Sequence, residues 1–219
     1  MRHNAFVLIL CGVLTGCARM PVSLTQLEPG QHQAVIVDAK DKHYAHVSLW
    51  EKDSNADWRK VYAASAVIGR NGLAPIREKK EGDGRTPSGI FNIGTAFGYA
   101  PVLETGLDYR QATLKDIWID DPASAQYNQW VKAPTEAKSF EYLRREDHQY
   151  KVAAVIEYNT DPVVPGDGSA IFMHIWKRYD KPTAGCVALS ERNIRKILKH
   201  LDKDKNPAII LVKAGHVAG

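Results

Sequence analysis

Apolar positions along this chain recur mostly with a period of two, in short runs separated by turn residues, and that pattern predicts strands. Ala34-Val35-Ile36-Val37 is a compact apolar run, and Tyr44 to Trp50 alternates so that Val47 and Leu49 share a face. Arg59 to Ile68 reads as a third strand, ending at Gly69. Ile90 to Ile93, Val152 to Tyr158, Ser169 to Ile175 and, after Pro207, Ala208 to Val212 complete the set. One segment has a clear helical period. Ile194, Ile197, Leu198 and Leu201 line one face, Ser190 stands at the cap position, Glu191 falls in the first turn, and Lys199, His200 and Lys203 lie near the end. A second, short helix is expected over Pro134 to Glu146, with Thr135 as cap and Phe140 and Leu143 facing inward. Strands outnumber helices and do not alternate with them, so the expected class is mainly β with a few helices, mostly antiparallel, rather than a doubly wound sheet.

Between these elements the polar stretches are informative. Glu81-Gly82-Asp83-Gly84-Arg85-Thr86-Pro87-Ser88-Gly89 is the densest turn signal in the chain and reads as an exposed loop feeding the strand at Ile90. Gly94 to Ala133 has little period, and Asp120-Asp121-Pro122 with Tyr127-Asn128 suggests irregular structure or an insertion laid over a core. At the N-terminus, Arg2 and His3 precede an apolar run from Ala5 to Leu14, too short to span a bilayer but suited to a signal peptide. It ends in Leu14-Thr15-Gly16-Cys17, which matches a bacterial lipobox. The expected organisation is a lipoprotein signal over 1–16, lipidation at Cys17, a polar tether over 17–33 and a folded domain over 34–213. An ordinary secretory signal is the alternative. Ala18 after the lipidated position is the residue type expected for the periplasmic face of the outer membrane if the cell is Gram-negative.

Composition narrows the choices. With 219 residues, 44% hydrophobic and 25% charged, the chain is long enough for one well-buried domain. Lys and Arg at 29 against Asp and Glu at 25 give a net charge of +4, too small and dispersed to imply nucleic acid. Of the 3 cysteines, Cys11 leaves with the signal and Cys17 is capped by lipid, so Cys186 is the only free thiol expected in the mature chain. No disulfide can form within it. A lone thiol in an oxidising envelope compartment reads either as a catalytic nucleophile or as an inert buried cysteine. His174 closes the strand Ala170-Ile171-Phe172-Met173-His174, and Cys186 follows after a loop and Gly185. An imidazole beside a thiol takes its proton and yields a thiolate–imidazolium pair, and the Cys186 N–H could face a developing oxyanion. On spacing alone, two unrelated core residues explain this pair as well.

Three blocks break the tie. Thr86-Pro87-Ser88-Gly89-Ile90-Phe91, Gly168-Ser169-Ala170-Ile171-Phe172-Met173-His174 and Pro182-Thr183-Ala184-Gly185-Cys186-Val187-Ala188-Leu189 occur in that order, and together they resemble the L,D-transpeptidase (YkuD-like) family. The resemblance runs from about Ala34 to Val212. It implies a β-sandwich or barrel catalytic domain acting on peptidoglycan stem peptides. Cys186 would attack the L-centre of diaminopimelate in a tetrapeptide, expel D-alanine and leave a thioester that an amine of a second stem resolves as a 3-3 cross-link. His174 would be the base, oriented by the Ile175 carbonyl, and Thr183 and Gly185 match the small residues leading into the nucleophile. The chain departs from the family where Ala184 replaces a second histidine and Val187-Ala188-Leu189 lacks the common Arg or Asn. Those departures bear on the acceptor, so an L,D-carboxypeptidase or amidase using the same pair, and a non-catalytic lipid-anchored wall-binding protein, remain alternatives.

Asp83, Arg85, Tyr158 and Asn159 are the next candidates for substrate contacts, Arg85 because its planar fork suits a stem carboxylate. A papain-like or NlpC-like hydrolase would place cysteine before histidine, the reverse of the order here. A zinc site is not expected, because His43 and His46 fall on opposite faces of a strand. No diffusible cofactor is implied. The expected partners are peptidoglycan stem peptides and, through the N-terminal lipid, a membrane in the cell envelope; the oligomeric state is left open.

Overall fold

The computed structural model describes residues 21–213. Twelve strands occur among them: β1 Gln33–Ala39, β2 Tyr44–Lys52, β3 Trp58–Val67, β4 Gly89–Gly98, β5 Tyr109–Gln111, β6 Asp116–Ile119, β7 Trp130–Lys132, β8 Phe140–Tyr142, β9 Val152–Ile156, β10 Phe172–Ile175, β11 Val187–Leu189 and β12 Ala208–Lys213. The helix α1 spans Glu191–His200. The main sheet runs β12-β1-β2-β3-β11-β10-β9-β4-β5, and a further β12–β4 pairing closes it into a barrel-like ring with β5 attached outside. Closure leaves the long strands no free edge, which removes the hazard of pairing with another chain.

Strand alternation decides what fills the barrel. Val35 and Val37 of β1, Val47 and Leu49 of β2, Met173 of β10 and Val187 and Leu189 of β11 join Ile194, Ile197 and Leu198 of α1 in one buried cluster. The helix begins where the sequence placed it, with Ser190 Oγ accepting the Asn193 N–H at 3.3 Å. Residues of opposite parity in β1, Ala34 and Ile36, pack instead against Trp50, Ile210, Val212 and Leu24. That contact bears on residues 21–33 of the span expected as a tether; 17–20 lie outside the described residues. Leu24 is only 2% exposed and Gln33 already belongs to β1, so residues 21–33 cover the outer face of the barrel because that face of β1 is as apolar as the inner one. The signal assigned to 1–16 and the lipidation site Cys17 lie outside the described residues.

The region without period after Gly94 folds as an insertion. β6, β7 and β8 form a separate antiparallel sheet in the order β7-β6-β8. The short helix expected over Pro134 to Glu146 is absent. Thr135 Oγ1 accepts the Ala137 N–H at 3.1 Å in a local turn, and Phe140 and Tyr142 pair with Ile119 and Ile117 of β6. Partnering the β6 backbone outweighs a weak local helical preference, although Leu143 is buried as expected. The insertion is held at its base by Asp116, whose wholly buried carboxylate accepts from Lys132 Nζ at 2.8 Å, Trp130 Nε1 at 2.6 Å and Thr113 N at 2.7 Å. Its inner face lays Trp118 and Leu143 on Phe97, Phe172 and Cys186 of the barrel.

Candidate active site

β10 and β11 lie side by side and parallel, with Met173 opposite Val187 and His174 opposite Ala188. Met173 and Val187 point into the barrel, so the alternating residues Phe172, His174 and Cys186 share its outer face, under the insertion. Phe172 packs edge-on against Trp118, Phe97 and Tyr150 at ring separations of 5.0, 5.3 and 5.5 Å. Tyr150 also meets the His174 ring at 5.1 Å. Both side chains are thereby buried, Cys186 at 7% and His174 at 4% exposure.

Each is held by backbone. His174 Nδ1 lies 2.8 Å from the Ile175 carbonyl. A carbonyl can only accept, so Nδ1 carries the proton and Nε2 of the neutral ring is left as the basic nitrogen. Burial lowers the imidazole to about 4, against the opposing pull of the Ile175 carbonyl, so it is neutral at pH 7. The Cys186 thiol donates to the Ala170 carbonyl at 3.3 Å, and its sulfur accepts the Phe172 N–H at 3.4 Å. Burial first, and the Glu141 carboxylate second, push the thiol up to about 12, with the Phe172 N–H working the other way. The resting pair is therefore thiol and neutral imidazole, where the sequence suggested thiolate and imidazolium. Burial penalises both charged forms.

The loop entering Cys186 is fixed from three sides. Thr183 N donates to Ile68 O at 3.0 Å and Arg70 N to Thr183 O at 3.0 Å, pinning the loop to the end of β3. Thr183 Oγ1 accepts from Gly185 N at 3.1 Å and donates to Cys186 O at 2.7 Å. Thr86, fully buried, accepts the Gly69 N–H at 2.9 Å and donates its hydroxyl to Gly185 O at 2.6 Å. A Cβ on Gly185 would sit 2.9 Å from the Arg85 carbonyl, which is why the position needs glycine. Among the described residues no acceptor takes the Cys186 N–H, which leaves it available to an oxyanion.

A family model for the L,D-transpeptidase catalytic domain (YkuD) matches residues 32–210. The chain belongs to that family. The barrel-like, mostly β architecture agrees with that membership. No curated protein matches the chain. Among solved structures it is similar to the helical cell shape determining protein Pgp2 from Campylobacter jejuni, at 18% identity and a TM-score of 0.47, over 86% of this chain and 50% of that one. The chain thus spans about half the length of that structure.

Within this L,D-transpeptidase domain the residues named from sequence divide by position. Cys186 and Gly185, with Ala184 in place of the second family histidine, line a cleft of about 70 Å³. Arg85 does not line it; its guanidinium donates to Leu73 O at 3.1 Å, and its carbonyl is the atom that crowds Gly185. Asp83 accepts from Lys79 Nζ at 2.9 Å and Lys80 N at 2.8 Å and so shapes the preceding loop. Tyr158 donates to Asp167 O at 2.6 Å and Asn159 donates to Gly168 O at 2.9 Å, both closing the 159–168 loop.

Of the other cleft residues, Arg70, Lys79, Glu81, Asp120, Glu141 and Ser169 were not among the site candidates read from the sequence. Glu81 Oε2 accepts from Tyr127 at 2.5 Å and Ser169 at 2.6 Å, and Glu141 accepts from the Tyr150 hydroxyl. Asp120 Oδ1 is buried with no partner among the described residues, and burial raises its carboxyl above the usual range. The mixture of two cations and three carboxylates around one thiol comes from four separate chain segments. Glu81 lay in the dense turn signal, but nothing local marked Asp120 or Glu141.

Proposed function

We propose that the protein is a cysteine-dependent L,D-transpeptidase that forms a thioester on Cys186 with a peptidoglycan stem peptide and passes the acyl group to an amine. The observation that carries this reading is the placement of Cys186 and His174 on one buried face, with Nδ1 of His174 committed to the Ile175 carbonyl and Nε2 free to take a proton. Sγ attacks the carbonyl of the L-centre of diaminopimelate as its proton leaves the Ala170 carbonyl for His174 Nε2. The Cys186 N–H receives the oxyanion. Collapse breaks the amide bond, the imidazolium returns its proton to the departing D-alanine amine, and the thioester remains. An incoming amine then repeats the sequence in reverse.

A second reading, hydrolysis of the thioester or of a related amide, draws support from the cleft. Its 70 Å³ admits water as it stands, whereas either stem peptide needs the cleft to open. Incubation with a disaccharide tetrapeptide containing diaminopimelate, followed by mass spectrometry, separates the outcomes. Loss of D-alanine with a dimer supports transfer, loss without a dimer supports hydrolysis, and no acyl group on Cys186 overturns both. We further propose lipidation at Cys17 with residence on an envelope membrane; Cys17→Ala should release the protein into the soluble fraction, and unchanged membrane association would sink that proposal.

A further inference from the structure

The turn between β6 and β7 carries Asn128, which is 4% exposed and sits at φ 58°. Asparagine tolerates that left-handed backbone better than most residues. Its side chain uses its full hydrogen-bonding capacity. Oδ1 accepts from Trp118 Nε1 at 2.9 Å and from Ala170 N at 3.0 Å, while Nδ2 donates to Tyr158 O at 3.0 Å and Asn159 O at 2.7 Å. The amide orientation is dictated by these partners, since two N–H groups need an acceptor and two carbonyls need donors.

Ala170 is the consequential partner. It has a side chain and yet adopts φ 52°, a conformation that residues other than glycine disfavour. That backbone turn aims the Ala170 carbonyl at the Cys186 thiol and brings the Phe172 N–H onto the same sulfur. Strain next to a reactive group persists only where neighbouring structure enforces it. Here the enforcing contact is the Asn128 amide.

We propose that Asn128 is a positioning residue for Cys186: its amide holds Ala170 in the left-handed conformation that clamps Sγ between the Ala170 carbonyl and the Phe172 N–H. The thiol is thereby aimed from the insertion, not only from the barrel that bears it. The inference rests on Cys186 being the nucleophile, but its test reads the thiol directly and needs no substrate.

The experiment follows alkylation of Cys186 by iodoacetamide across pH in the full chain, by peptide mass, beside thermal melting. Asn128→Ala releases the clamp and admits water, so the midpoint of the alkylation profile falls by about one pH unit, while acyl-enzyme formation drops about tenfold or more because the sulfur is no longer aimed. Ala170→Val, which cannot keep the left-handed turn, shifts the midpoint the same way and serves if Asn128→Ala fails to fold. Adding Ala170→Gly to Asn128→Ala restores part of the midpoint, since glycine takes that conformation freely. Val35→Ala, inside the barrel and compared at matched loss of melting temperature, leaves the midpoint in place. An unchanged midpoint in both Asn128→Ala and Ala170→Val, or an equal shift in Val35→Ala, overturns the proposal. Loss of acyl-enzyme in the wild type with the midpoint shifts intact would overturn the functional reading instead.

Discussion

The Thr86 hydroxyl donates to the Gly185 carbonyl at 2.6 Å, joining positions 99 residues apart in sequence. The same oxygen accepts the Gly69 N–H, so one buried side chain ties the end of β3 to the loop that carries Cys186. The bond joins the Thr86-Pro87-Ser88-Gly89 block to the Gly185-Cys186 block. Thr86→Val keeps the volume and removes both bonds, leaving a buried N–H and carbonyl unsatisfied. It should cost about 1–3 kcal/mol in thermal unfolding and slow acyl-enzyme formation about tenfold, with Thr86→Ser recovering most of both.

Gly185→Ala tests a steric demand. The new methyl would lie 2.9 Å from the Arg85 carbonyl and 3.2 Å from Ile171 Cδ1, so the backbone leading into Cys186 must shift. A displacement of that size at a nucleophile costs about a hundredfold in rate. The expected result is a folded protein by circular dichroism whose acyl-enzyme forms about a hundred times more slowly.

His174 gives stability a pH dependence of definite sign. Burial holds the folded imidazole at about 4 from an ordinary value of 6.5, so between those values the unfolded chain binds the proton and the folded chain does not. The contribution is fully present above 6.5 and is lost as pH falls toward 4. Linkage makes this on the order of 3 kcal/mol. Denaturant unfolding across pH 4 to 7 should show the decline, and His174→Phe should flatten it.

Asp116 anchors the insertion that covers the site. Burial alone would raise its carboxyl, but Lys132, Thr113 and Trp130 hold it well below the usual carboxylate range. Lys132 and Arg110 are about half exposed and stay hydrated without it, so Asp116→Ala, which strands mainly the Trp130 and Thr113 donors, should cost about 1–3 kcal/mol. Because the insertion packs Trp118 and Leu143 over Cys186, the same variant should speed alkylation of that thiol at neutral pH.

Much of the barrel was legible because its strands are buried and their apolar runs are strong. Seven predicted strands match β1, β2, β3, β4, β9, β10 and β12, with shifts at their ends, and α1 was marked by its cap and its period. The elements missed, β5, β6, β7, β8 and β11, are 3 or 4 residues long. Runs that short carry no period, and it is pairing with a distant partner that makes them strands. The packing of residues 21–33 was illegible for a related reason. Leu24 looks isolated in a polar stretch until Trp50, Ile210 and Val212 are brought beneath it.

The sequence by itself determined the kinds of chemistry available, a thiol at Cys186, a histidine closing a strand and a glycine before the cysteine, because those depend on residue type and order. Tertiary structure alone decided their state. It put Cys186 and His174 under an insertion, where burial keeps both neutral, and it turned Ala170 so that backbone groups grip the sulfur. Protonation and aim depend on dielectric surroundings and on partners from remote segments. The fold supplies both, through residues such as Asn128 and Glu141 that no local pattern distinguishes from ordinary surface positions.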